Sequence, residues 1–293
     1  MTESWDWYRT FHAVLELGSL SAAARELGLT QPTVGRHIDA LEAALGGELF
    51  TRSPTGLLAT ELAREIAPYA AQLGTTSAAL LRAASARRGA IAGTVRISAS
   101  EVIAVEVLPP IIAELQDAHP ELVIELSASD AVEDLLHREA DVAVRTAEPA
   151  QEALIVRKIG GGLPVGMFAH RRYLAKRGTP ATFAELTGHR FVGFDRQTAY
   201  IRLMAKRYPK LVALPTTFRA DSNLAQLAAI RAGVGIGMCQ VGLATRNREL
   251  VRVVPSVALA LPCYVAMHEN LKASLRCRAV FDALVAGLQA YIA

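Results

Sequence analysis

Cysteine is scarce in this sequence, and its positions fit neither a metal site nor a disulfide framework. The three cysteines are Cys239, Cys263 and Cys277. Metal sites need close pairs of ligands, and small disulfide-stabilised domains need an even set of cysteines. We therefore expect three buried thiols in a reducing cytosol, and no redox switch.

Long uncharged hydrophobic runs are also missing. No stretch reaches the roughly 20 apolar residues that a membrane-spanning helix requires, and residues 1–6 are mixed and acidic, unlike a signal peptide. We therefore expect a cytoplasmic protein. Hydrophobic residues make up 52% of the chain and charged residues 20%, which is a composition that allows large folded cores and does not indicate disorder.

Catalytic and nucleotide-binding signatures are absent too. No serine stands in a nucleophile elbow, and no glycine-rich phosphate loop ends in Lys and Ser or Thr. The seven histidines are scattered along the chain. The segment Gly233–Gly237 superficially resembles a dinucleotide loop, but its third glycine comes one residue early and a strand, not a helix, is expected after it. We therefore expect no enzyme activity, no metal and no cofactor.

Lysine does not occur in the first 92 residues, which contain eight Arg and nine Asp or Glu. A nucleic-acid-binding domain usually has a clear positive excess, so bulk charge does not indicate DNA binding here. Contacts with phosphates would depend on where individual arginines lie, namely Arg36, Arg52 and the Arg87-Arg88 pair.

The first 60 residues do contain an ordered set of helix signals. Ser21 is predicted to cap a short helix that runs to Leu27, Gly28 to end it, and Thr30 to cap a longer helix over Gln31–Leu45. Two helices that meet at a small turn are typical of the helix-turn-helix, whose second helix enters the DNA major groove. The candidate DNA contacts in this segment are Ser21, Thr30, Gln31, Pro32, Thr33, Arg36 and His37.

The longer helix is predicted to bury one apolar stripe, formed by Val34, Ile38, Leu41 and Leu45. Gly35 lies in the middle of this helix and costs about 1 kcal/mol of helix stability relative to alanine. Either the backbone approaches DNA closely at this point, or the helix becomes firm only on binding. The alternative for the whole segment is an alanine-rich helical hairpin within a core.

A short hairpin is predicted next, with strands over Glu48–Arg52 and Leu57–Thr60 and a turn at Ser53–Gly56. A hairpin in this position is a wing, which lies against the phosphate backbone and positions the protein without reading bases. Its candidate DNA contacts are Arg52, Ser53 and Thr55. The alternative for Arg52 is an ordinary surface arginine.

A long helix, capped by Thr60, is predicted to run to about Arg88, with Pro68 expected to bend it. It carries a weak heptad stripe, whose members include Leu62, Ile66, Tyr69, Leu73 and Leu80. A linker between two domains has no core of its own for such a stripe, so a helix from a second subunit is the expected partner. We therefore predict a homodimer or homotetramer.

From residue 93 onward, strands and helices alternate, which predicts parallel sheets covered by helices. Two similar halves indicate a two-lobed α/β module of the periplasmic-binding-protein type. The expected divisions are a winged helix-turn-helix over 1–60, a linker helix over 61–92 and an effector-binding domain over 93–293. Within the last, lobe I covers 93–162 and 268–293, and lobe II covers 163–267.

Ligands of parallel sheets bind beyond the carboxyl ends of the strands, against helix N-termini. The residues at such places are Ser98, Ser100, Glu101, Ser129, Arg145, Thr146, Phe194, Asp221, Ser222 and Asn223. Hydroxyls at helix starts favour a small carboxylate as effector, whereas Glu101 and Asp130 leave a neutral or cationic effector open. Simple helix capping is the alternative for most of these residues.

The first third of the chain closely resembles the N-terminal domain of LysR-type transcriptional regulators. The residues that carry this resemblance are Phe11, Val14, Ser19, Ala23-Ala24, Leu27, Gln31-Pro32, Val34, Ile38, Leu41-Glu42, Leu45-Gly46, Leu49-Phe50, Arg52 and Thr60. The resemblance continues, less sharply, through Leu108-Pro109, Asp141–Arg145, Ala232–Gly237 and the segment Arg276–Arg278.

This resemblance implies a multidomain protein: an α-rich winged helix-turn-helix reader, a long dimerising linker helix and a two-lobed type II effector domain. The implied partners are double-stranded DNA at an inverted-repeat promoter site, a small-molecule effector and RNA polymerase. Two other classes stay open. A regulator without a ligand would use its lobes as an oligomerisation scaffold. A solute-binding protein, or an enzyme built like one, would explain the lobes but not residues 1–90.

Overall fold

The computed structural model describes residues 4–53, 56–84, 91–130, 140–149, 154–196, 202, 206 and 208–292. The described residues up to 84 belong to one compact unit, and those from 91 onward to a second. No helix of the described chain is both long and apolar enough to span a lipid bilayer.

Four helices and one hairpin form the first unit. They are α1 (Trp5–Leu17), α2 (Leu20–Leu27), α3 (Gln31–Leu45), β1 (Phe50–Ser53), β2 (Gly56–Ala59) and α4 (Glu61–Ala84). Their shared core is apolar and includes Phe11, Val14, Ala23, Val34 and Leu41. Leu45, which the sequence predicts for the same stripe, is exposed, so the buried face of α3 ends at Leu41.

The helix-turn-helix forms at the predicted turn, with one correction at its start. Gly28 ends α2 in the left-handed region, at φ 66°, and the Oγ1 atom of Thr30 accepts the Thr33 N–H at 3.4 Å. Ser19, not Ser21, caps α2, since its Oγ accepts the Ala22 N–H at 3.5 Å. The earlier start brings Leu20 into the helix, where it packs against the core.

The hairpin begins two residues later than predicted because a carboxylate holds the preceding segment. Glu42 of α3 accepts the N–H groups of Leu49 and Phe50 through Oε1, at 2.7 and 3.3 Å. Thr60 then donates to the Glu48 carbonyl at 2.8 Å and accepts the Ala63 N–H at 3.2 Å, so that it caps α4 as predicted. The expected continuation of α4 to Arg88 lies outside the described residues.

The first lobe of the second unit contains a five-stranded sheet in the order β4-β3-β5-β12-β6. Its strands are β3 (Gly93–Ala99), β4 (Leu122–Ala128), β5 (Val142–Arg145), β6 (Leu154–Lys158) and β12 (Tyr264–His268). The strand β3 pairs in parallel with β4 and β5, as predicted, whereas β12 runs antiparallel to both of its neighbours.

Three helices pack in the first lobe: α5 (Glu101–Glu106), α6 (Leu108–Ala118) and α11 (Leu275–Ile292). The sequence predicts one helix over 102–118, but the chain breaks at Val107 because Pro109 and Pro110 lack the N–H groups that would continue α5. The predicted helix over 131–138 lies in residues that the structure does not describe.

The second lobe holds a three-stranded antiparallel sheet in the order β10-β7-β11 and a separate parallel pair. Its elements are β7 (Leu163–His170), α7 (Arg171–Arg177), β8 (Phe191–Gly193), α8 (Pro209–Val212), β9 (Thr216–Arg219), α9 (Asn223–Arg231), β10 (Gly237–Gln240), α10 (Val241–Arg246) and β11 (Leu250–Leu261). Most of the helix predicted over 197–208 lies outside the described residues.

The boundary between the lobes differs from the predicted one. The sequence assigns residues up to 267 to the second lobe, yet β12 lies inside the first sheet, between β5 and β6. The chain returns to the first lobe at Pro262-Cys263. There the Cys263 carbonyl accepts, at 2.8 Å, the N–H of Ile159, which directly follows β6 where the chain leaves the first lobe. The second lobe therefore covers residues 163–261.

Candidate functional site

The start of α3 presents a row of polar side chains to the outside of the first unit. Thr30 and Thr33 share a hydrogen bond between their Oγ1 atoms at 2.9 Å, and Arg36 donates from Nη2 to Thr33 Oγ1 at 3.4 Å. Gln31 and Pro32 are exposed beside them. Five of the predicted DNA contacts therefore lie together at the accessible N-terminal end of α3, within its first two turns.

His37, by contrast, faces the interior of the unit. Its Nδ1 atom shares a hydrogen bond of 2.8 Å with Oγ1 of Thr10, a residue of α1 that is fully buried. This contact ties α3 to α1, so one ring nitrogen of the half-buried His37 is used within the unit. Ser21 is exposed one residue inside α2 and does not act as the cap.

The wing is fixed to the body of the first unit at its base. Arg52 pairs with Leu57, and Ser53 with Gly56, across the two strands. Leu57 donates its N–H to the Gly18 carbonyl at 3.1 Å, and a Cβ atom at Gly56 would approach that oxygen to 2.9 Å. The side chains of Arg52 and Ser53, and the predicted contact Thr55, lie outside the described residues.

The apolar residues of α4 fall into two groups, not one stripe. Leu62 and Ile66 pack against the core of the first unit, together with the buried Ala63 and Ala70. The remaining three predicted seam residues are exposed large side chains, namely Tyr69 at 69%, Leu73 at 43% and Leu80 at 65%. The stripe available to a partner helix therefore starts at Tyr69.

In the second unit, Arg145 joins the carboxyl ends of three parallel strands. Its Nη2 donates to Ser98 Oγ at 2.6 Å and its Nη1 to the Ser129 carbonyl at 2.8 Å. Arg145 and Ser98 are 7% and 3% exposed. The structure brings these three predicted ligand residues together, but the Arg145 guanidinium donates to the other two. The predicted ligand residue Thr146 directly follows Arg145 and is half-buried.

Three other predicted ligand residues, Glu101, Ser222 and Asn223, meet Asp130 across the gap between the lobes. Glu101 accepts the Ser222 hydroxyl through Oε2 at 2.9 Å, and Asp130 accepts the Asn223 amide through Oδ2 at 2.6 Å. Asp130 also accepts the Glu101 N–H through Oδ1 at 3.1 Å. We call Glu101, Asp130, Ser222 and Asn223 the carboxylate bridge.

The remaining ligand candidates take no part in the hydrogen bonds of the bridge. Ser100 occupies the cap position of α5 but makes no capping bond with its side chain. Phe194 is half-buried just after β8, and Asp221 is exposed just before Ser222. Ser222 itself also caps α9 by accepting the Ala225 N–H at 3.3 Å.

A second contact between the lobes is not foreseen from the sequence. Arg231 of α9 binds both carboxylate oxygens of Glu106, at 2.6 and 2.8 Å. The hydrogen bond from Arg231 holds the pKa of Glu106 below its usual value, and the hydrogen bond to Glu106 raises the pKa of Arg231. Because these residues lie 125 positions apart, only the fold reveals the pair.

Aromatic packing supports the same side of the lobe interface. Arg246 donates to the Glu106 carbonyl at 3.3 Å and lies over the Tyr291 ring, 5.0 Å from its centre. Tyr291 donates its hydroxyl to Gln240 Oε1 at 2.9 Å. A Cβ atom at Gly242 would lie 2.7 Å from the Tyr291 ring, so a glycine at this position lets α10 pack directly against α11.

The three cysteines are buried and form no disulfide, as predicted. Burial raises the pKa of Cys239 to about 11 and that of Cys263 to about 12. These two thiols therefore stay protonated near neutral pH and are poor nucleophiles and metal ligands. Within the described residues, no three His, Cys, Asp or Glu side chains are grouped as metal ligands would be.

Two family models match the chain. One, described as "Bacterial regulatory helix-turn-helix protein, lysR family", matches residues 5–64, and the other, described as "LysR substrate binding domain", matches residues 88–289. The regulator CrgA of Neisseria meningitidis serogroup C is 26% identical over 283 residues, covering 94% of both chains. The regulator PgrR of Escherichia coli K12 is 23% identical over 261 residues, covering 87% of both.

Solved structures of full-length regulators share the fold. The crystal structure of CbnR, a LysR family regulator, superposes with a TM-score of 0.69 at 19% identity and covers 99% of both chains. CbnR in complex with its target DNA gives a TM-score of 0.65 at 19% identity, covering 98% of this chain and 99% of that one. The exposed turn of α3 thus belongs to a fold that is also found in a DNA-bound state.

Proposed function

This chain belongs to the LysR family of DNA-binding transcriptional regulators, and we propose that a small molecule bound between its two lobes controls its action on DNA. The observation that carries this proposal is the carboxylate bridge. It places two acceptors of the first lobe opposite two donors of the second, at the strand and helix ends where ligands of α/β proteins bind. A ligand that enters there must replace both hydrogen bonds.

The charges of the bridge favour an effector that donates hydrogen bonds, such as a primary amine. Glu101 and Asp130 are acceptors that face the opposite lobe, and Arg145 already binds Ser98 and Ser129. A carboxylate ligand, the class that helix-start hydroxyls suggest, would meet the two negative charges of Glu101 and Asp130. An ammonium group would bind both carboxylates and release Ser222 and Asn223.

We propose that such a ligand changes the geometry of the lobes around the Glu106–Arg231 pair. That pair and the bridge are separate attachments between the lobes. If a ligand replaces only the hydrogen bonds of the carboxylate bridge, the lobes stay joined at the Glu106–Arg231 pair and can rotate about it. A ligand shifts this equilibrium only by its difference in affinity for the two arrangements, so the bridge residues set the effector response.

For DNA binding, we propose that the start of α3 enters the major groove and presents Gln31, Thr33 and Arg36 to the bases, while the wing lies along the phosphate backbone. Two copies would pair along the exposed α4 residues Tyr69, Leu73 and Leu80. Such a dimer presents two recognition helices to an inverted repeat. We further propose that the chain has no enzyme activity and that the DNA-binding region ends near residue 60.

A thermal-shift screen with matched pairs of metabolites tests the ligand proposal. Amines and their carboxylate or alcohol counterparts are compared on the full chain, the Glu101→Gln variant and the control Glu125→Gln. The control removes the same charge from an exposed pair with Arg96 in the same lobe. We expect an amine to raise the melting temperature of the native chain and the control, and to do so less for Glu101→Gln. Stabilisation by carboxylates alone would contradict the proposed ligand class.

A ligand-free regulator is the second candidate, and the bridge itself favours it. The lobes are already joined at the bridge by two direct hydrogen bonds, so they can serve as a rigid oligomerisation scaffold. In that case no compound in the screen changes the melting temperature. Glu101→Gln would then alter DNA binding only to the extent that it alters oligomeric state.

A further inference from the structure

The formal charges of this chain are divided very unevenly between its parts. The second lobe, residues 163–261, contains 15 Lys and Arg and 4 Asp and Glu, a net charge of +11. The first lobe, residues 91–162 and 262–293, contains 8 Lys and Arg and 15 Asp and Glu, a net charge of −7. Residues 1–90, which include the helix-turn-helix, have a net charge of −1. The positive charge expected of a DNA-binding protein thus lies in the second lobe.

Six of these cations lie around α7, and all six are exposed. They are Arg171, Arg172, Lys176, Arg177, Arg190 and Arg248. We call them the α7 basic surface. Several hydrogen bonds hold its parts together.

Arg171 joins the start of α7 to the segment before β11: its backbone N–H donates to the Glu249 carbonyl, and its Nη2 donates to the Arg248 carbonyl. Tyr173 fixes the segment before β8, since its hydroxyl accepts the Arg190 N–H at 2.8 Å. Burial lowers the pKa of the His189 imidazole, and the nearby positive charge of Arg177 lowers it further. The six cations therefore belong to one continuous part of the second lobe.

No carboxylate neutralises this surface from within the described chain. None of the six cations forms an ion pair with a carboxylate of the described residues. The nearby Glu185 instead accepts the Ala181 N–H and the Thr182 hydroxyl, at 2.9 and 2.8 Å, and these bonds lower its pKa. Arg172 binds the Ala232 carbonyl, which leaves its charge in place.

The surroundings of the cations favour a nucleic acid over a protein partner. Between residues 163 and 237, no described large apolar side chain is exposed. The buried centre of a protein interface is apolar, whereas protein–DNA interfaces are polar and strongly positive. The acidic first lobe differs in this respect, because its edge strand β4 exposes Val123 and Leu126.

We propose that the α7 basic surface binds the phosphate backbone of duplex DNA outside the bases that α3 reads. This contact is independent of sequence, and its free energy comes from the release of counterions that are condensed on the DNA. It supplies the electrostatic attraction that the acidic helix-turn-helix unit lacks. The regulator then has two kinds of DNA contact: base reading by α3, and phosphate binding by the second lobe.

The salt dependence of binding to random-sequence duplex DNA tests this proposal on the full chain. The test variant carries Lys176→Gln, Arg177→Gln and Arg190→Gln. The control carries Arg157→Gln, Lys158→Gln and Lys272→Gln, which removes three exposed cations of the first lobe and gives the same net charge. Melting temperatures and circular dichroism verify that both proteins are folded.

We expect the slope of log affinity against log salt to become shallower in the test variant by about 0.9 for each phosphate that the protein no longer neutralises, and thus by up to about 3. The control should keep the slope of the native chain. A third variant with Lys176→Arg, Arg177→Lys and Arg190→Lys should restore it, because phosphate binding depends on charge.

Three results would overturn the proposal. An unchanged slope in the test variant means that these cations do not touch DNA. An equal change of slope in the test and control variants means that only net charge matters. A change in oligomeric state by light scattering, at an unchanged slope, assigns the surface to a protein partner such as the acidic lobe of a second copy.

Discussion

Glu106 of α5 and Arg231 of α9 form a bidentate ion pair between the two lobes, with N–O distances of 2.6 and 2.8 Å. Their side chains are 23% and 34% exposed. Each is thus partly shielded from water and held in a fixed geometry. Among the described residues, this is the only ion pair that joins the two lobes, and the effect of removing it should be measurable.

Arg231→Gln should lower the free energy of unfolding of the second unit by about 1–2 kcal/mol, since hydrogen bonds to charged groups contribute about 1.5–3 kcal/mol when buried and less when partly exposed. Because the pKa of Glu106 is below its usual 4.5, the pair stabilises the fold above that pH and loses its effect as pH falls through the lowered pKa. Unfolding curves at several pH values should show a constant difference between native and variant near neutrality, and convergence in acid.

The control for this prediction is Arg278→Gln, which removes an exposed cation 3.9 Å from Asp282. Its effect should stay below about 0.5 kcal/mol at every pH. An equal destabilisation of both variants would show that general surface charge, not the pair, is responsible.

Gly35→Ala should stabilise the first unit by about 1 kcal/mol, because alanine is the better helix former. A Cβ atom at this position meets nothing within 4 Å, so the protein itself imposes no steric cost. DNA affinity then separates the two explanations for this glycine. Weaker binding by a more stable protein indicates close approach of the DNA backbone, whereas tighter binding indicates a helix that becomes firm on binding.

Gly46→Ala provides the matched control for Gly35. Gly46 also has no atom within 4 Å of an added Cβ, but its φ of 74° lies in the left-handed region. The same substitution should therefore lower the melting temperature. A stabilised Gly46→Ala would mean that alanine acts through something other than backbone conformation.

Leu73→Asp combined with Leu80→Asp should convert a dimer into monomers without unfolding them. Both side chains are exposed on α4 and make no contact with the core of the first unit. Light scattering measures the mass, and the melting temperature verifies the fold. The control is Ala78→Asp, at an exposed position on the opposite side of the helix. Dissociation by the control as well would remove the case for a specific stripe.

Glu42→Ala should destabilise the wing by about 1–3 kcal/mol, because the N–H groups of Leu49 and Phe50 lose their acceptor. Limited proteolysis within residues 46–60 reports on the wing directly. Glu42→Gln retains a carbonyl oxygen and should recover much of the stability. Equal sensitivity of the two variants to protease would show that the charge of Glu42 matters more than its hydrogen bonds.

Local signals in the sequence predicted the first unit well, because caps and turns act over a few residues. Thr30 and Gly28 set the start of α3 and the end of α2 as expected, whereas Ser19, not the predicted Ser21, caps α2. The two serines are two positions apart, and the packing of Leu20 decides between them. The split of the α4 stripe depends in the same way on packing against α1, which no periodicity reveals.

The second unit was predictable in class but not in its connections. The three parallel strands of the first lobe follow the expected alternation, whereas the sequence does not indicate β11 because Pro255 interrupts its run. In the structure, Val254 adopts a positive φ of 44° at that point. The carboxylate bridge joins residues 121 and 93 positions apart. Glu101, Ser222 and Asn223 are candidates by their places at strand or helix ends, but their pairing, and the part that Asp130 takes in it, require the fold.

The position of β12 has a consequence for how the protein is made. This strand lies between β5 and β6 in the first sheet, although the ribosome makes residues 264–268 only after the whole of the second lobe. The strand β6 has no described neighbour in that sheet other than β12. The first lobe therefore stays open until β12 emerges, while the second lobe can close its own sheet earlier. A chain that stops before residue 264 would leave both edges of that gap available for aggregation.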